Sequence, residues 1–169
     1  MNTPHHDVTS ITLGGNAWKG TETLGYDNIA LSAGVPSINF NSWISDPGFG
    51  LDPAEQDFAL DPDFDGLANG LEAWFGTHPG QSSPGLAVGS NVGLATTFTH
   101  PQNATPPVDL TGFYEWSPNL TDWFTSGNGP DGGATVTFSA NTSGTTTTVT
   151  ATVSEAVERI FFRAVVTLN

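Results

Sequence analysis

Basic residues are almost missing from this sequence. Its 169 residues contain 17 acidic side chains but only three basic ones, Lys19, Arg159 and Arg163, which gives a net charge of −14. Proteins bind nucleic acids and anionic membrane surfaces mainly through Lys and Arg. We therefore expect no nucleic-acid partner and no anionic membrane partner, whereas polycations and divalent metal ions remain compatible with this charge.

Cysteine and long apolar runs are also missing. Without Cys, no disulfide contributes to stability. No stretch approaches the ~20 apolar residues of a membrane-spanning helix, so we expect no membrane insertion. The first ten residues lack the basic and apolar regions of a signal peptide. Scarce Lys with abundant Thr, Gly, Ser and Asn is typical of extracellular bacterial proteins, so we expect an exported mature protein, or a fragment of one, at the bacterial cell surface.

Alternating apolar and polar residues predict a mostly β chain. Residues 1–36 contain two candidate strands, 8–13 and 26–31, and two strands alone are marginally stable in water. We interpret this segment as the end of a sandwich, or as a strand-exchange segment that pairs within the chain or with another subunit. Residues 93–169 alternate short strands with turn residues, which predicts a small antiparallel β-sandwich. Its candidate strands are 94–99, 112–117, 135–139, 145–153 and 159–167.

Between these β regions, residues 37–80 predict a module of short helices around an acidic loop. One helical turn is expected at residues 40–44, before Pro47 and Gly48. A second helix follows the loop and ends at Gly76, because glycine commonly ends helices. Its predicted apolar face consists of Leu67, Leu71, Trp74 and Phe75. Residues 81–92 are rich in Ser, Pro and Gly and predict a linker.

The acidic loop, residues 61–72, matches the calcium loop of an EF-hand position by position. Carboxylates stand at positions 1, 3 and 5, glycine at position 6, and further oxygen donors at positions 7, 9 and 12. The predicted ligands are Asp61, Asp63, Asp65, Leu67 through its backbone carbonyl, Asn69 and Glu72. Calcium takes about six to eight oxygen ligands at flexible angles, whereas magnesium demands a tighter octahedron and zinc prefers His or Cys. The predicted cofactor is therefore Ca²⁺.

This loop resembles the single calcium loops of dockerins and of thrombospondin type 3 repeats. Residues 37–169 also resemble a C-terminal module of secreted Verrucomicrobia- and Planctomycetes-type surface proteins. The shared signature comprises a Trp-containing helical turn (41–44), the loop Asp-Pro-Asp-x-Asp-Gly-Leu-x-Asn-x-x-Glu (61–72), an aromatic pair (74–75), Gly-Thr-x-Pro (76–79), Tyr-x-x-Ser-x-x-Leu-x-x-Trp (114–123) and Phe-x-Arg (161–163). The resemblance implies an accessory module without a catalytic site. Phe64 departs from it, because such loops usually carry Gly there, and a Phe in a left-handed turn strains the backbone.

The function expected from these features is non-catalytic. No serine-hydrolase elbow, phosphate loop or metalloprotease motif occurs, and no nucleophile–base pair can be named. We expect an extracellular calcium-binding structural or interaction module. One alternative is a self-assembling fibre subunit, a homo-oligomer or filament joined by strand addition. Another is a carbohydrate-binding module that binds surface glycans through Trp18 and Trp123, with Trp43, Trp74 and Trp116 in the core.

Overall fold

Seven β-strands and two short α-helices are found in residues 37–169, the part of the chain that the computed structural model describes. The helices are α1 (Phe40–Ile44) and α2 (Asn69–Phe75), with 3₁₀ turns at Pro47–Phe49 and Pro53–Glu55. The strands are β1 (Ala87–Val92), β2 (Ala95–Pro101), β3 (Leu110–Ser117), β4 (Phe124–Thr125), β5 (Val136–Ser143), β6 (Thr146–Val153) and β7 (Phe161–Leu168). No helix in this part of the chain is long and apolar enough to cross a membrane. The candidate strands at 8–13 and 26–31 lie outside the described residues.

The strands form two antiparallel sheets that pack together as a small β-sandwich. The larger sheet has the order β1-β2-β6-β5, and the smaller one has the order β4-β3-β7. Phe98 and Val149 of the larger sheet and Trp116 of the smaller sheet belong to one buried apolar cluster. The Trp116 indole N–H donates to the carbonyl oxygen of Asn128 at 2.9 Å, so this buried polar group has its partner. The predicted fold class is confirmed.

All five strands predicted for the sandwich are present, with shifted ends. The alternation that predicts them is clearest in β6, where Thr147, Val149, Ala151 and Val153 are buried. The sequence pattern does not predict β1 and β4. Every residue of β1 is exposed, and its Gly, Ser and Asn residues are typical of loops, yet it pairs with β2 along its length. The sheet therefore begins inside the segment 81–92, and the linker is shorter than predicted.

Two helices lie on either side of the acidic loop. The helical turn predicted at residues 40–44 is α1, which buries Phe40 and Ile44. As predicted, Gly76 ends α2, with φ 77° in the left-handed region that favours glycine. Leu67 does not belong to the face of this helix, because α2 begins only at Asn69. Leu67 is therefore a residue of the loop.

The C-terminal end of α2 is bound to the loop between β2 and β3. Asn103 donates from its backbone N–H to the Trp74 carbonyl oxygen at 3.1 Å, and from its side-chain amide to the Ala73 carbonyl oxygen at 2.9 Å. The last carbonyls of a helix have no partner within the helix, so these bonds stabilise its end. The Trp74 ring also lies so close to Gly112 of β3 that a Cβ there would overlap it. These contacts fix α2 on the sandwich.

His100 of β2 is buried beneath α2. Its ring stacks on Phe75 with the ring centroids 4.7 Å apart, and its Nε2 atom lies 2.7 Å from the Tyr114 hydroxyl oxygen. Burial lowers the pKa of His100 and raises the pKa of Tyr114 to about 12. Both groups are therefore neutral near pH 7, and together they connect the helix to both sheets.

Candidate metal centre

Three aspartates of the acidic loop converge. Asp61, Asp63 and Asp65 each place a carboxylate oxygen so that these atoms lie within 4.8 Å of one another. The chain turns back on itself at Gly66, whose φ of 93° is rarely adopted by residues with a side chain. A set of carboxylate oxygens at this spacing can bind a metal ion.

Backbone amides point into the loop and hold the three carboxylates. The Asp65 N–H donates to Asp61 Oδ1 at 3.3 Å and to Asp63 Oδ1 at 3.2 Å. The N–H groups of Gly66 and Leu67 donate to Asp61 Oδ2 at 2.9 Å and to Asp65 Oδ1 at 2.8 Å. These bonds orient the carboxylates, but they leave three negative charges close together, and no basic side chain of residues 37–169 forms an ion pair with them. A bound cation would supply the missing countercharge.

Glu72, in the first turn of α2, is a fully buried acid beside this cluster. Its Oε1 atom accepts a hydrogen bond from the Thr77 hydroxyl at 3.2 Å, whereas its buried Oε2 atom has no hydrogen-bond partner among residues 37–169. Burial, followed by the charge of Asp63, raises the pKa of Glu72 to about 8. A buried carboxylate of this kind is costly to ionise unless a cation lies next to it.

Asn69 and Asp63 each contribute another buried oxygen without a partner. The Asn69 side-chain amide donates to the carbonyl oxygens of Glu55 and Asp57, both at 2.8 Å, which fixes the direction of the side chain. Its Oδ1 atom accepts no hydrogen bond, and neither does Asp63 Oδ2. Burial is also the main cause of the raised pKa of Asp63. Buried oxygens without donors are uncommon in folded proteins and are a reason to expect an ion or water.

Leu67 and Phe64 complete the loop. Leu67 is half-buried and its N–H is bonded within the loop, while its predicted role as a carbonyl ligand stays a prediction. Phe64 has a φ of 61°, the left-handed conformation predicted for this position of the loop, and its side chain is 90% exposed. This positive φ is the source of the backbone strain predicted for a Phe at this position.

Two residues outside the predicted ligand set also support the loop. The Ser83 N–H donates to Asp65 Oδ2 at 2.6 Å, and Thr77 binds Glu72 as described above. Thr77 is part of the Gly-Thr-x-Pro signature, so the sequence contains a signal for it. Ser83 lies in a Ser/Pro-rich segment and acts through its backbone, so its residue type carries no comparable signal.

The tryptophans lie largely as expected for core residues. Trp116 is fully buried, and Trp43 and Trp74 are half-buried. Trp123, predicted to be exposed, is half-buried, and the Arg163 guanidinium lies 4.1 Å from the centre of its ring. Trp18, the other member of the predicted glycan-binding pair, lies outside the described residues.

No protein-family model, curated protein or solved structure matches this chain. The function therefore has to be argued from the acidic loop and its surroundings.

Proposed function

We propose that this chain is a non-catalytic, extracellular calcium-binding module in which the ion stabilises the packing of a loop and helix on a β-sandwich. One observation carries the proposal. Loop positions 3, 9 and 12 each present a buried oxygen without a hydrogen-bond partner, namely Asp63 Oδ2, Asn69 Oδ1 and Glu72 Oε2. These are three of the positions from which an EF-hand loop binds its ion.

The chemistry of the donors favours calcium. Every side-chain donor in the loop is a carboxylate or amide oxygen, which suits a hard cation and disfavours zinc. The donors are spread from Asp61 to Glu72 on a turn and a helix, and this spread suits the larger and less directional calcium better than magnesium. The ion would also neutralise the buried charge of Glu72, whose ionisation is otherwise unfavourable.

The position of α2 supports a structural role for the ion. Glu72 stands on this helix, and Asn103 holds the end of the same helix on the sandwich. An ion bound by Glu72 and the aspartates would therefore tie the loop to the sandwich through α2. Extracellular fluids contain enough calcium for a weak site of this kind to be occupied. The resemblance to loops of secreted bacterial surface proteins supports the extracellular location.

Calorimetric titration with calcium tests the proposal. We expect the wild-type chain to bind Ca²⁺ with a dissociation constant of ~10⁻⁴–10⁻³ M. Asp65→Ala and Glu72→Ala should abolish binding, whereas Asp122→Ala, an exposed acid in a turn of the sandwich, should bind as the wild type does. Equal affinity in all these proteins would refute the assignment of the ligands.

Thermal unfolding supplies a second readout. At ~10 mM Ca²⁺, such an affinity stabilises the folded state by roughly 1.4–2.7 kcal/mol, so the melting temperature should rise in calcium. It should fall in EDTA and change little with Mg²⁺. A wild-type melting curve that is the same in calcium and in EDTA would contradict the proposal.

A second candidate function is self-assembly by strand addition, and the edge of the larger sheet favours it. Within residues 37–169, β1 is a terminal strand of that sheet, without a charged residue, and its Val88 and Val92 are 70% and 73% exposed. Proteins usually protect such edges with charges. Light scattering of the full chain beside Val88→Lys tests this function. A concentration-dependent increase in size that the variant lacks would support assembly, and a monomer at every concentration would contradict it.

A further inference from the structure

Thr77 makes two hydrogen bonds to Glu72, although it lies outside the acidic loop. Its hydroxyl donates to Glu72 Oε1 at 3.2 Å, and its backbone N–H donates to the Glu72 carbonyl oxygen at 3.1 Å. The second bond, together with the left-handed conformation of Gly76, turns the chain back toward the helix. The hydroxyl is thereby brought to Oε1 of the Glu72 carboxylate, while Oε2 has no partner among the described residues.

We propose that Thr77 is a positioning residue for the metal site: its hydroxyl fixes the Glu72 carboxylate in the orientation that binds the ion. This inference rests on the proposed function and adds a residue to it. A glutamate side chain has several rotatable bonds, and that of Glu72 faces three like charges. A fixed donor holds the Glu72 carboxylate near the three aspartates before the ion arrives, so the side chain loses less conformational freedom when the ion binds. Oε1 has two lone pairs, so its bond to Thr77 does not prevent it from binding an ion as well.

The sandwich itself holds Thr77 in place. A Cβ on Gly76 would lie 2.9 Å from Cα of Asn103, so the chain before Thr77 passes directly against the loop between β2 and β3. The same Asn103 binds the carbonyl oxygens of Ala73 and Trp74. Partners that orient a ligand side chain commonly change metal affinity by a factor of about 10–100 when they are removed. Thr77 has the geometry of such a partner.

The experiment uses calorimetric calcium titration of the full chain and of three variants. Thr77→Val keeps the shape of the side chain and removes the hydroxyl, whereas Thr77→Ser keeps the hydroxyl. Thr152→Val makes the same chemical change at an exposed position of β6. We expect Thr77→Val to bind calcium about tenfold more weakly, and the other two to bind like the wild type. Thr77→Val should lower the melting temperature in both conditions, but by less in EDTA, where no ion is bound, than in calcium.

Each outcome has one meaning. If the wild type binds calcium and Thr77→Val binds it equally well, the inference is overturned and the proposed function stands. The inference is also overturned if Thr77→Ser is as weak as Thr77→Val, or if Thr77→Val loses the same stability in calcium and in EDTA. A wild type that binds no calcium overturns the proposed function, and the inference falls with it.

Discussion

The backbone N–H of Ser83 donates a 2.6 Å hydrogen bond to Oδ2 of Asp65, across 18 residues of chain. This bond joins the acidic loop to the segment that leads into β1. Asp65 Oδ1 is meanwhile bonded to the Leu67 N–H, so both oxygens of this carboxylate have a backbone donor. Asp65 is therefore bonded both within the loop and to the segment that follows α2, so the shape of the loop depends on the course of that segment.

We predict that ionisation of Glu72 lowers the stability of the metal-free protein as the pH rises from about 5 to 8. The pKa of Glu72 is raised from 4.5 to about 8 in the folded state. Between these values the folded state holds a proton that the unfolded state has lost, so the free energy of unfolding decreases as the pH rises. Urea denaturation in EDTA at several pH values measures this dependence. In calcium the decrease should be smaller, because the ion binds the carboxylate form, which the unfolded state also has in this pH range.

Glu72→Gln provides the comparison for this prediction, since glutamine cannot ionise. Its stability in EDTA should decrease less between pH 5 and 8 than that of the wild type. Glu158→Gln makes the same change in a side chain that is 89% exposed, and it should follow the wild-type profile. Parallel profiles for the wild type and Glu72→Gln would show that Glu72 is not the cause.

We predict that Phe64→Gly stabilises the protein. Phe64 has a φ of 61°, and a left-handed conformation costs a residue with a side chain about 1–2 kcal/mol. Glycine removes this strain but adds about 0.4–1 kcal/mol of conformational freedom to the unfolded state. The net gain should be up to about 1.6 kcal/mol, measured by urea denaturation. Phe64→Ala is the control, because it removes the exposed ring but keeps Cβ, and it should be less stable than Phe64→Gly. The reverse order would contradict the strain argument.

We predict that Gly112→Ala destabilises the protein by about 1–3 kcal/mol, the usual effect of inserting a methyl group into a packed site. The new Cβ would overlap the Trp74 ring, so α2 would have to shift on the sandwich. Gly85→Ala is the matched control, since a Cβ there would lie 3.5 Å from Cδ2 of Leu67, an ordinary contact. Chemical denaturation of both variants measures the difference. Equal stabilities would mean that Trp74 does not fix α2 on β3.

The sequence predicts the sandwich strands from the alternation of apolar and polar residues, and burial follows this alternation most clearly in β6. In β6 the buried Val149 and Ala151 are flanked by Thr residues, and this pattern is visible without a structure. It fails for β1, where no side chain is buried and only backbone pairing with β2 creates the strand. An edge strand of this kind leaves no periodicity in the sequence.

The loop is predicted from spacing alone, because its donors lie close together in the chain. Asp61, Asp63 and Asp65 converge as the spacing requires. The contacts made by Ser83 and Asn103 are not predictable in this way. They depend on where distant segments pass the loop and the helix. Ser83 and Asn103 both donate from backbone N–H groups, which nearly all residue types have, and only the Asn103 amide adds a side-chain bond.

The larger sheet contains no Asp, Glu, Lys or Arg in any of its four strands, while eight of the 17 acids lie between residues 46 and 72. Fixed charges act over a distance of only about 8 Å at physiological ionic strength and over shorter distances in stronger salt. A change of salinity will therefore act on the acidic loop and leave the hydrogen bonds and packing of this sheet nearly unaffected. In brackish or marine water this sheet should keep its amide protection against hydrogen exchange, while competition from sodium weakens the binding of the cation by the loop.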